Sequence, residues 1–224
     1  MDAAQDTILR ISSQNAEITV EQKDEAGVMT HKKLSPETLA LCILGSRFDD
    51  SLHMTGLLPE HCIAAAVSGS KRWYYIRYPS LHADVSYFGT LYEAFPLPRL
   101  VFGFGYDTES GKIVNRKLCV VRDVRLTTET PTYHYPFSNV YGNNDICIGN
   151  NELPTYKDPT RIGTLADYIL RMPNNNDMFH EQNNRLRLGY RDLLEHLKDK
   201  PPAYYYTDVL IPVGKKLKDF INGR

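Results

Sequence analysis

The strongest β-strand pattern in the chain reads Leu100-Val101-Phe102-Gly103-Phe104, a nearly continuous apolar run. A second pattern covers Ile113–Val124, and the turn-forming residues Asp107-Thr108-Glu109-Ser110-Gly111 lie between the two. Two β-prone runs joined by a short polar segment that contains Gly are typical of an antiparallel hairpin. We therefore expect an antiparallel hairpin in the middle of the chain.

Further strand patterns precede this hairpin. The aromatic run Trp73–Tyr78 has high β propensity and is interrupted by Pro79, and Asp84–Phe88 is a weaker strand candidate. Near the N-terminus, Thr7–Ile11 and Ala16–Val20 alternate apolar and polar side chains, with turn formers between them. This alternation predicts a second hairpin.

Helical patterns flank the strands. Ser35 and Pro36 supply an N-cap and a first-turn proline for a helix that would end at Gly45, and its nearly all-round apolar surface predicts that it is well buried. After the strands, Thr164–Met172 and Leu186–Leu197 have apolar residues at helical spacing, and Lys215–Ile221 forms a last short element. Strands followed by a long loop and then helices indicate an α+β fold with an antiparallel sheet.

Composition narrows the functional classes. The 224 residues carry 26 basic and 27 acidic side chains, for a net charge of −1, which argues against nucleic acid as a partner. No apolar run approaches the length of about 20 residues that a membrane span needs, and no signal-peptide pattern is present, so we expect a cytoplasmic protein. No dinucleotide, P-loop or zinc-protease motif is present, and we expect no cofactor.

The four cysteines differ in their surroundings. Cys42 lies within the first predicted helix, Cys119 in a strand and Cys62 before a run of small residues, and all three are interpreted as packing residues. No two are spaced as a C-x-x-C pair, which argues against a metal site. Cys147 instead lies in a polar stretch within residues 127–159, which predict a long ordered loop, and such loops usually carry function.

The segment Tyr133–Asn150 resembles the active-site region of ubiquitin-conjugating (E2) enzymes. Their motif runs His-Pro-Asn, then a short flap, then Gly-x-Ile-Cys-Leu, with eight residues from the Asn to the nucleophilic Cys. Asn139 and Cys147 have that spacing, and Ile146 precedes the cysteine. Phe137 and Ser138 occupy the His and Pro positions, which departs from the motif.

The wider layout is similar to prokaryotic E2-like family D, which includes a component of the PRTRC systems of plasmids and integrative elements. Four segments carry this similarity besides the N-terminal hairpin and helix: Pro98–Phe102, Pro136–Val140, Ile146–Gly149 and Asp177–His180. The resemblance implies an E2/UBC-like antiparallel β-meander with flanking helices and an N-terminal hairpin and helix extension. It implies one domain over residues 1–224, with an elaboration at 1–70, a core at 71–200 and a tail at 201–224.

The resemblance also implies a reaction. Cys147 would accept a ubiquitin-like protein as a thioester from an E1/ThiF-like partner and pass it to an amine, with a JAB-like peptidase as a further partner. Asn139 would donate a hydrogen bond to the oxyanion, although a turn-forming role explains it equally well. ATP would belong to the E1-like partner. The alternatives are a catalytically inactive E2-fold scaffold of a mobile element and an unrelated fold in which the motif arose by chance.

The sequence gives weaker indications of function for several other polar or aromatic residues. His134 could orient the flap or be an ordinary exposed residue, and Glu152 or Asp158 could assist the incoming amine. The run Tyr204–Tyr206 follows Pro201-Pro202, and we interpret it as a tail or a subunit contact.

Overall fold

The computed structural model describes residues 7–12, 17–23, 27–45 and 56–223. Within it the chain divides into two compact units, Met1–Met54 and Thr55–Arg224. No helix in the part of the chain that is described combines the length and apolar character that membrane crossing requires.

The N-terminal unit contains a three-stranded antiparallel sheet and one helix. The strands β1 (Thr7–Ile11), β2 (Ile18–Lys23) and β3 (Met29–Leu34) are arranged in that order, and α1 (Pro36–Gly45) follows. The hairpin predicted from Thr7–Ile11 and Ala16–Val20 is confirmed, although part of its turn lies outside the described residues. The sequence did not predict β3, because its charged residues hide the strand pattern.

The helix α1 begins as predicted but is not buried. The hydroxyl of Ser35 accepts a hydrogen bond from the backbone N–H of Thr38 at 3.1 Å, which is an N-cap contact. However, Leu41 and Ile43 are 69% and 54% exposed, and Cys42 is exposed as well. The predictions of a well-buried helix and of a packing role for Cys42 are wrong, because a helix that is apolar on every side can bury only the side that meets a neighbour.

The larger unit is built on a six-stranded sheet and a separate two-stranded hairpin. Its strands are β4 (Cys62–Ser68), β5 (Lys71–Arg77), β6 (His82–Tyr87), β7 (Thr90–Pro96), β8 (Arg99–Asp107), β9 (Ile113–Val121), β10 (Pro131–Tyr133) and β11 (Pro212–Lys216). The sheet order is β11-β10-β9-β8-β5-β4, with every neighbouring pair antiparallel, and β6 pairs with β7. The predicted antiparallel α+β class and the β8–β9 hairpin are confirmed.

Short helices follow the sheet. They are α2 (Thr164–Leu170), α3 (Tyr190–Leu197) and α4 (Leu217–Ile221), together with 3-10 turns at Pro159–Gly163 and Glu181–Asn183 and a π-helical turn at Tyr205–Val209. The helix predicted at Leu186–Leu197 begins later than expected. Arg187 has a positive φ of 56°, and Gly189 is the extended N-cap residue, so the helical run starts only at Tyr190.

The strand β8 is buried on both faces and contributes side chains to two hydrophobic clusters. Leu100, Phe102 and Phe104 belong to a large cluster that includes residues of α2 and α3. Val101 belongs to a smaller cluster with Cys119 and with Phe220 of α4. Cys119 is completely buried, which confirms its predicted packing role.

The C-terminal tyrosines are part of this core. Tyr205 is completely buried, and its hydroxyl donates to the carbonyl of Pro96 at 2.7 Å. The hydroxyl of Tyr206 accepts a hydrogen bond from the backbone N–H of Arg99 at 2.7 Å. The interpretation of Tyr204–Tyr206 as a tail or subunit contact is therefore wrong, because the chain turns back after Pro201-Pro202 and packs against β7 and β8.

We expect Tyr205→Phe to lower the free energy of unfolding by about 1–3 kcal/mol, because it leaves the buried carbonyl of Pro96 without a donor. Urea denaturation measures this loss. The matched control is Tyr168→Phe, which removes a hydroxyl from a partly exposed ring and should change stability by about 0.5 kcal/mol or less. Equal losses in the two variants would contradict the buried contact.

Candidate functional site

Residues 139–147 form a closed loop that brings the predicted site residues together. The backbone N–H of Cys147 donates to the carbonyl of Asn139 at 2.8 Å. Inside this closure, Val140 and Ile146 form an antiparallel bridge, and the N–H of Tyr141 donates to the carbonyl of Asp145 at 2.9 Å. The eight-residue spacing therefore corresponds to direct backbone pairing of Asn139 and Cys147.

The loop is attached to the sheet along β9. The N–H of Ile146 donates to the carbonyl of Arg116 at 3.0 Å, and the N–H of Leu118 donates to the carbonyl of Asn144 at 2.9 Å. Lys117 and Asp145 form the bridge between these two bonds. The loop thus extends the sheet beside β9, and its position depends on that strand.

The two faces of the loop differ because side chains alternate across paired strands. Val140 and Ile146 are only 9% and 2% exposed and pack into the large core cluster. Tyr141 and Cys147 lie on the other face and line an open groove of about 510 Å³. Its lining also includes Arg116, Asp145 and Gly149. Cys147 is half-buried and lines this groove.

Three polar side chains line the groove together with Cys147, namely those of Tyr141, Arg116 and Asp145. The pKa of Tyr141 is raised above its ordinary value, first by hydrogen bonding to Cys147 and then by the negative charge of the Cys147 thiolate. The positive charge of Arg116 lowers the same pKa. The Arg116 Nε donates to the carbonyl of Ile146 at 3.1 Å, which fixes the guanidinium beside the loop. Asp145 accepts from Asn143 Nδ2 at 2.7 Å through Oδ2, while its Oδ1 is buried and has no hydrogen-bond partner among the described residues.

Asn139 has a structural role as a turn residue, which its backbone conformation shows. Its φ of 65° lies in the left-handed region, which Asn tolerates better than most residues. Its side-chain amide donates to the carbonyl of Pro173 at 3.3 Å and makes a longer contact of 3.5 Å with Asn174 Oδ1. The amide therefore has two acceptors in the segment that follows α2.

A buried polar network anchors the start of the loop. The Asn174 Oδ1 accepts from the hydroxyl of Ser138 at 2.8 Å and from that of Tyr190 at 2.9 Å. Its Nδ2 donates to the carbonyl of Ser86 at 3.2 Å. All of these contacts are within or beside the core, so they connect the loop to β6 and α3.

The weaker candidates lie outside the groove lining. His134 is half-buried, and burial lowers its pKa from the ordinary value. Asp158 caps a 3-10 turn by accepting from Thr160, and these hydrogen bonds lower its pKa. Glu152 is exposed.

Among the residues that the structure describes, no group of three or more His, Cys, Asp or Glu side chains could hold a metal ion.

We expect Asn174→Ala to lower the free energy of unfolding by about 2 kcal/mol or more, because it removes the side-chain acceptor that the buried hydroxyls of Ser138 and Tyr190 share. Urea denaturation measures the loss, and hydrogen exchange of the Cys147 amide reports whether the loop closure opens with it. Asn150→Ala, at an exposed site, is the control. Unchanged stability in Asn174→Ala would show that the network does not hold the loop.

Comparison with known proteins gives one match. No curated protein and no solved structure matches the chain. The model of prokaryotic E2 family D matches residues 41–213, which is more than half of the chain and includes the whole loop with Asn139 and Cys147. The chain therefore belongs to prokaryotic E2 family D.

Proposed function

We propose that the protein carries a ubiquitin-like protein as a thioester on Cys147 and transfers it to an amine. The observation that supports this most directly is the 2.8 Å backbone bond between Cys147 and Asn139, which places the cysteine at the rim of an open groove. Membership of an E2-like family supports the same reaction class. An E1/ThiF-like protein supplies the thioester, and a JAB-like peptidase is a further partner, as in the PRTRC systems of mobile elements.

The reaction consists of two acyl transfers. In the first, the Cys147 thiolate attacks the thioester carbonyl on the E1-like protein, a new C–S bond forms, and the thiolate of the E1-like protein leaves with its electron pair. In the second, an amine attacks the new thioester and loses one proton to solvent. The C–S bond to Cys147 then breaks, which regenerates its thiolate and leaves an amide. Neither step changes an oxidation state or consumes ATP.

The fold is consistent with the same proposal. We assign the E2/UBC-like meander to the antiparallel strands that precede the loop, which include β8, β9 and β10. In this assignment residues 71–200 form the catalytic core and residues 1–70 an elaboration whose last strand, β4, pairs with β5 in the sheet of the core. Residues 201–224 pack on this core, where Tyr205 is buried and Phe220 lies in one cluster with Val101.

We expect Cys147→Ser to abolish the thiol-sensitive adduct formed with ATP, an E1-like protein and a ubiquitin-like protein, or to replace it with a thiol-stable ester. Non-reducing gels with and without dithiothreitol measure this. Cys62→Ser is the matched control, because it changes another half-buried thiol that lies outside the groove lining. A dithiothreitol-sensitive adduct in Cys147→Ser would rule out Cys147 as the nucleophile, and the absence of an adduct in every variant would favour the inactive scaffold.

A second variant separates the two roles of Asn139. Asn139→Gly keeps a residue that adopts positive φ readily but removes the side-chain amide. If the amide donates to the oxyanion, Asn139→Gly should charge normally yet discharge to a free amine about 10²-fold more slowly. Single-turnover discharge of the purified thioester measures this rate. Discharge at the wild-type rate would leave Asn139 as a turn residue only.

A further inference from the structure

We propose that the sheet edge at β4 is a docking site for an extended segment of a partner protein in which apolar and acidic side chains alternate. The segment pairs with the outer edge of β4 and places its carboxylates at a basic groove beside that strand, which we call the β4 groove. This inference goes beyond the proposed function, because the β4 groove shares no lining residue with the groove that contains Cys147.

The strand β4 is an unprotected sheet edge. It is last in the sheet order, and among the described residues it pairs with β5 alone. Its sequence, Cys62–Ser68, contains neither proline nor a charged side chain, the features that natural proteins use to keep an edge from pairing with another chain. Val67 is 56% exposed, and Ala65 is exposed as well. An edge of this kind can accept an added strand through its backbone groups.

The hydrogen bonds of β5 show how its backbone groups are directed. The N–H of Arg77 donates to the carbonyl of His61, directly before β4, at 3.0 Å. The N–H of Tyr78 donates to the carbonyl of Leu100 on β8, on the other side, at 2.9 Å. Because hydrogen-bonded positions alternate along an antiparallel strand, the residues of β5 with odd numbers direct their backbone groups toward β4.

The same alternation identifies the backbone groups that β4 directs outward. Tyr75 has an odd number and pairs with Ala64, so the backbone groups of Ala64 face β5. The next residue, Ala65, therefore directs its N–H and C=O to the outer edge, and Val67 does the same two residues later. These two exposed residues provide the donors and acceptors with which an added strand pairs.

The β4 groove lies beside the start of the strand and is basic. It measures about 650 Å³, and its lining includes Arg77 of β5 and the exposed Arg125, which follows β9. Arg77 Nη1 donates to the carbonyl of Val124 at 3.0 Å, which holds this guanidinium at the groove. No acidic side chain is among the described lining residues, since the nearest acids in sequence, Glu60 and Asp123, lie outside it. The groove is therefore complementary to carboxylates.

The two faces of β4 determine the side-chain pattern of the segment. Ala64 lines the β4 groove and packs against the smaller hydrophobic cluster, whereas Ala65 and Val67 lie on the opposite face because side chains alternate along a strand. The side chains of an added strand alternate in the same way. One set lies on the face of the guanidinium groups, where acidic residues fit, and the other lies beside Val67, where apolar residues fit.

A second copy of this chain fits the edge less well than an acidic segment does. Two copies related by a two-fold axis would pair their β4 edges antiparallel, so that the start of one strand meets the end of the other. The start lies near Arg77, and the end is followed by Lys71 and Arg72. Asp107 pairs with Lys71 in the sheet and offsets one of these charges. The remaining like charges of the two copies oppose this pairing.

Titration of the full-length protein with a peptide tests the proposal without any natural partner. The probe is an acetylated octapeptide of alternating Val and Glu, and the control peptide carries Lys in place of each Glu. In nitrogen-15 NMR spectra, we expect the Val-Glu peptide to shift the backbone amides of Ala65 and Val67 and the side-chain Nε–H of Arg125. Equal shifts with both peptides, shifts confined to other residues, or no shift at millimolar peptide would overturn the proposal.

Charge reversal tests the contribution of the β4 groove. Arg125→Glu should weaken binding of the Val-Glu peptide about tenfold, because it replaces a cation of the groove with an anion. Lys157→Glu makes the same change of charge at an exposed residue outside the lining, and it should alter the affinity by about twofold or less. Equal losses in the two variants would assign the binding to general charge and overturn the site.

A proline substitution tests the strand pairing. Val67→Pro removes an outward N–H at an edge, where proline is tolerated, and should weaken peptide binding about fivefold. Val67→Thr keeps that N–H and is the matched control, which should bind as the wild type does. Circular dichroism establishes that both variants fold. Equal affinities in Val67→Pro and Val67→Thr would contradict pairing through the edge.

Two further measurements identify other occupants of the edge. A dimer in sedimentation experiments that Val67→Pro dissociates would assign β4 to a second copy and overturn the proposal. Stronger shifts of the same amides with an oligothymidine than with the Val-Glu peptide would assign the site to nucleic acid. Neither result bears on the thioester reaction, because adduct formation on Cys147 is measured separately.

Discussion

The burial of β8 on both faces is the constraint on which the rest of the larger unit depends. Leu100 and Phe102 pack into one cluster and Val101 into another, and all three are completely buried. A strand that is covered on both faces and paired along both edges cannot shift its register without exposing one of these sets. Its neighbour β9 is thereby fixed, and β9 in turn holds the loop that contains Cys147 through the bonds from Ile146 and Leu118.

Features that depend on local pattern were predictable, and features that depend on distant neighbours were not. The continuous apolar run of β8 and the apolar surroundings of Cys119 both indicated burial. Tyr205 follows two prolines in a polar region, and its burial is set by Pro96, 109 residues earlier in the chain. Cys42 was predicted to be a packing residue but is exposed, because the sequence of an apolar helix does not show which of its sides a neighbour covers.

The candidate site shows the same division. The eight-residue spacing of Asn139 and Cys147, which carried the resemblance to E2 enzymes, corresponds to a backbone hydrogen bond between the two residues. Tyr141 had a usable signal, because the alternation of Val140 and Ile146 with their polar neighbours places it on the face of Cys147. Arg116 had none, because it reaches the groove only through the pairing of the loop with β9. Nor does sequence alone determine where the Asn139 amide points.

The departures from the E2 motif at Phe137 and Ser138 concern how the loop is held. Phe137 is buried against the rings of Phe95, Tyr135 and Tyr205, and Ser138 donates to the buried Asn174. Both side chains therefore anchor the inner side of the loop, while the thiol lies on its outer side. The groove and the sulfur lie on the outer side, away from these anchoring side chains. The missing histidine consequently weighs little against acyl transfer at Cys147, and the chemistry of the outer face decides that question.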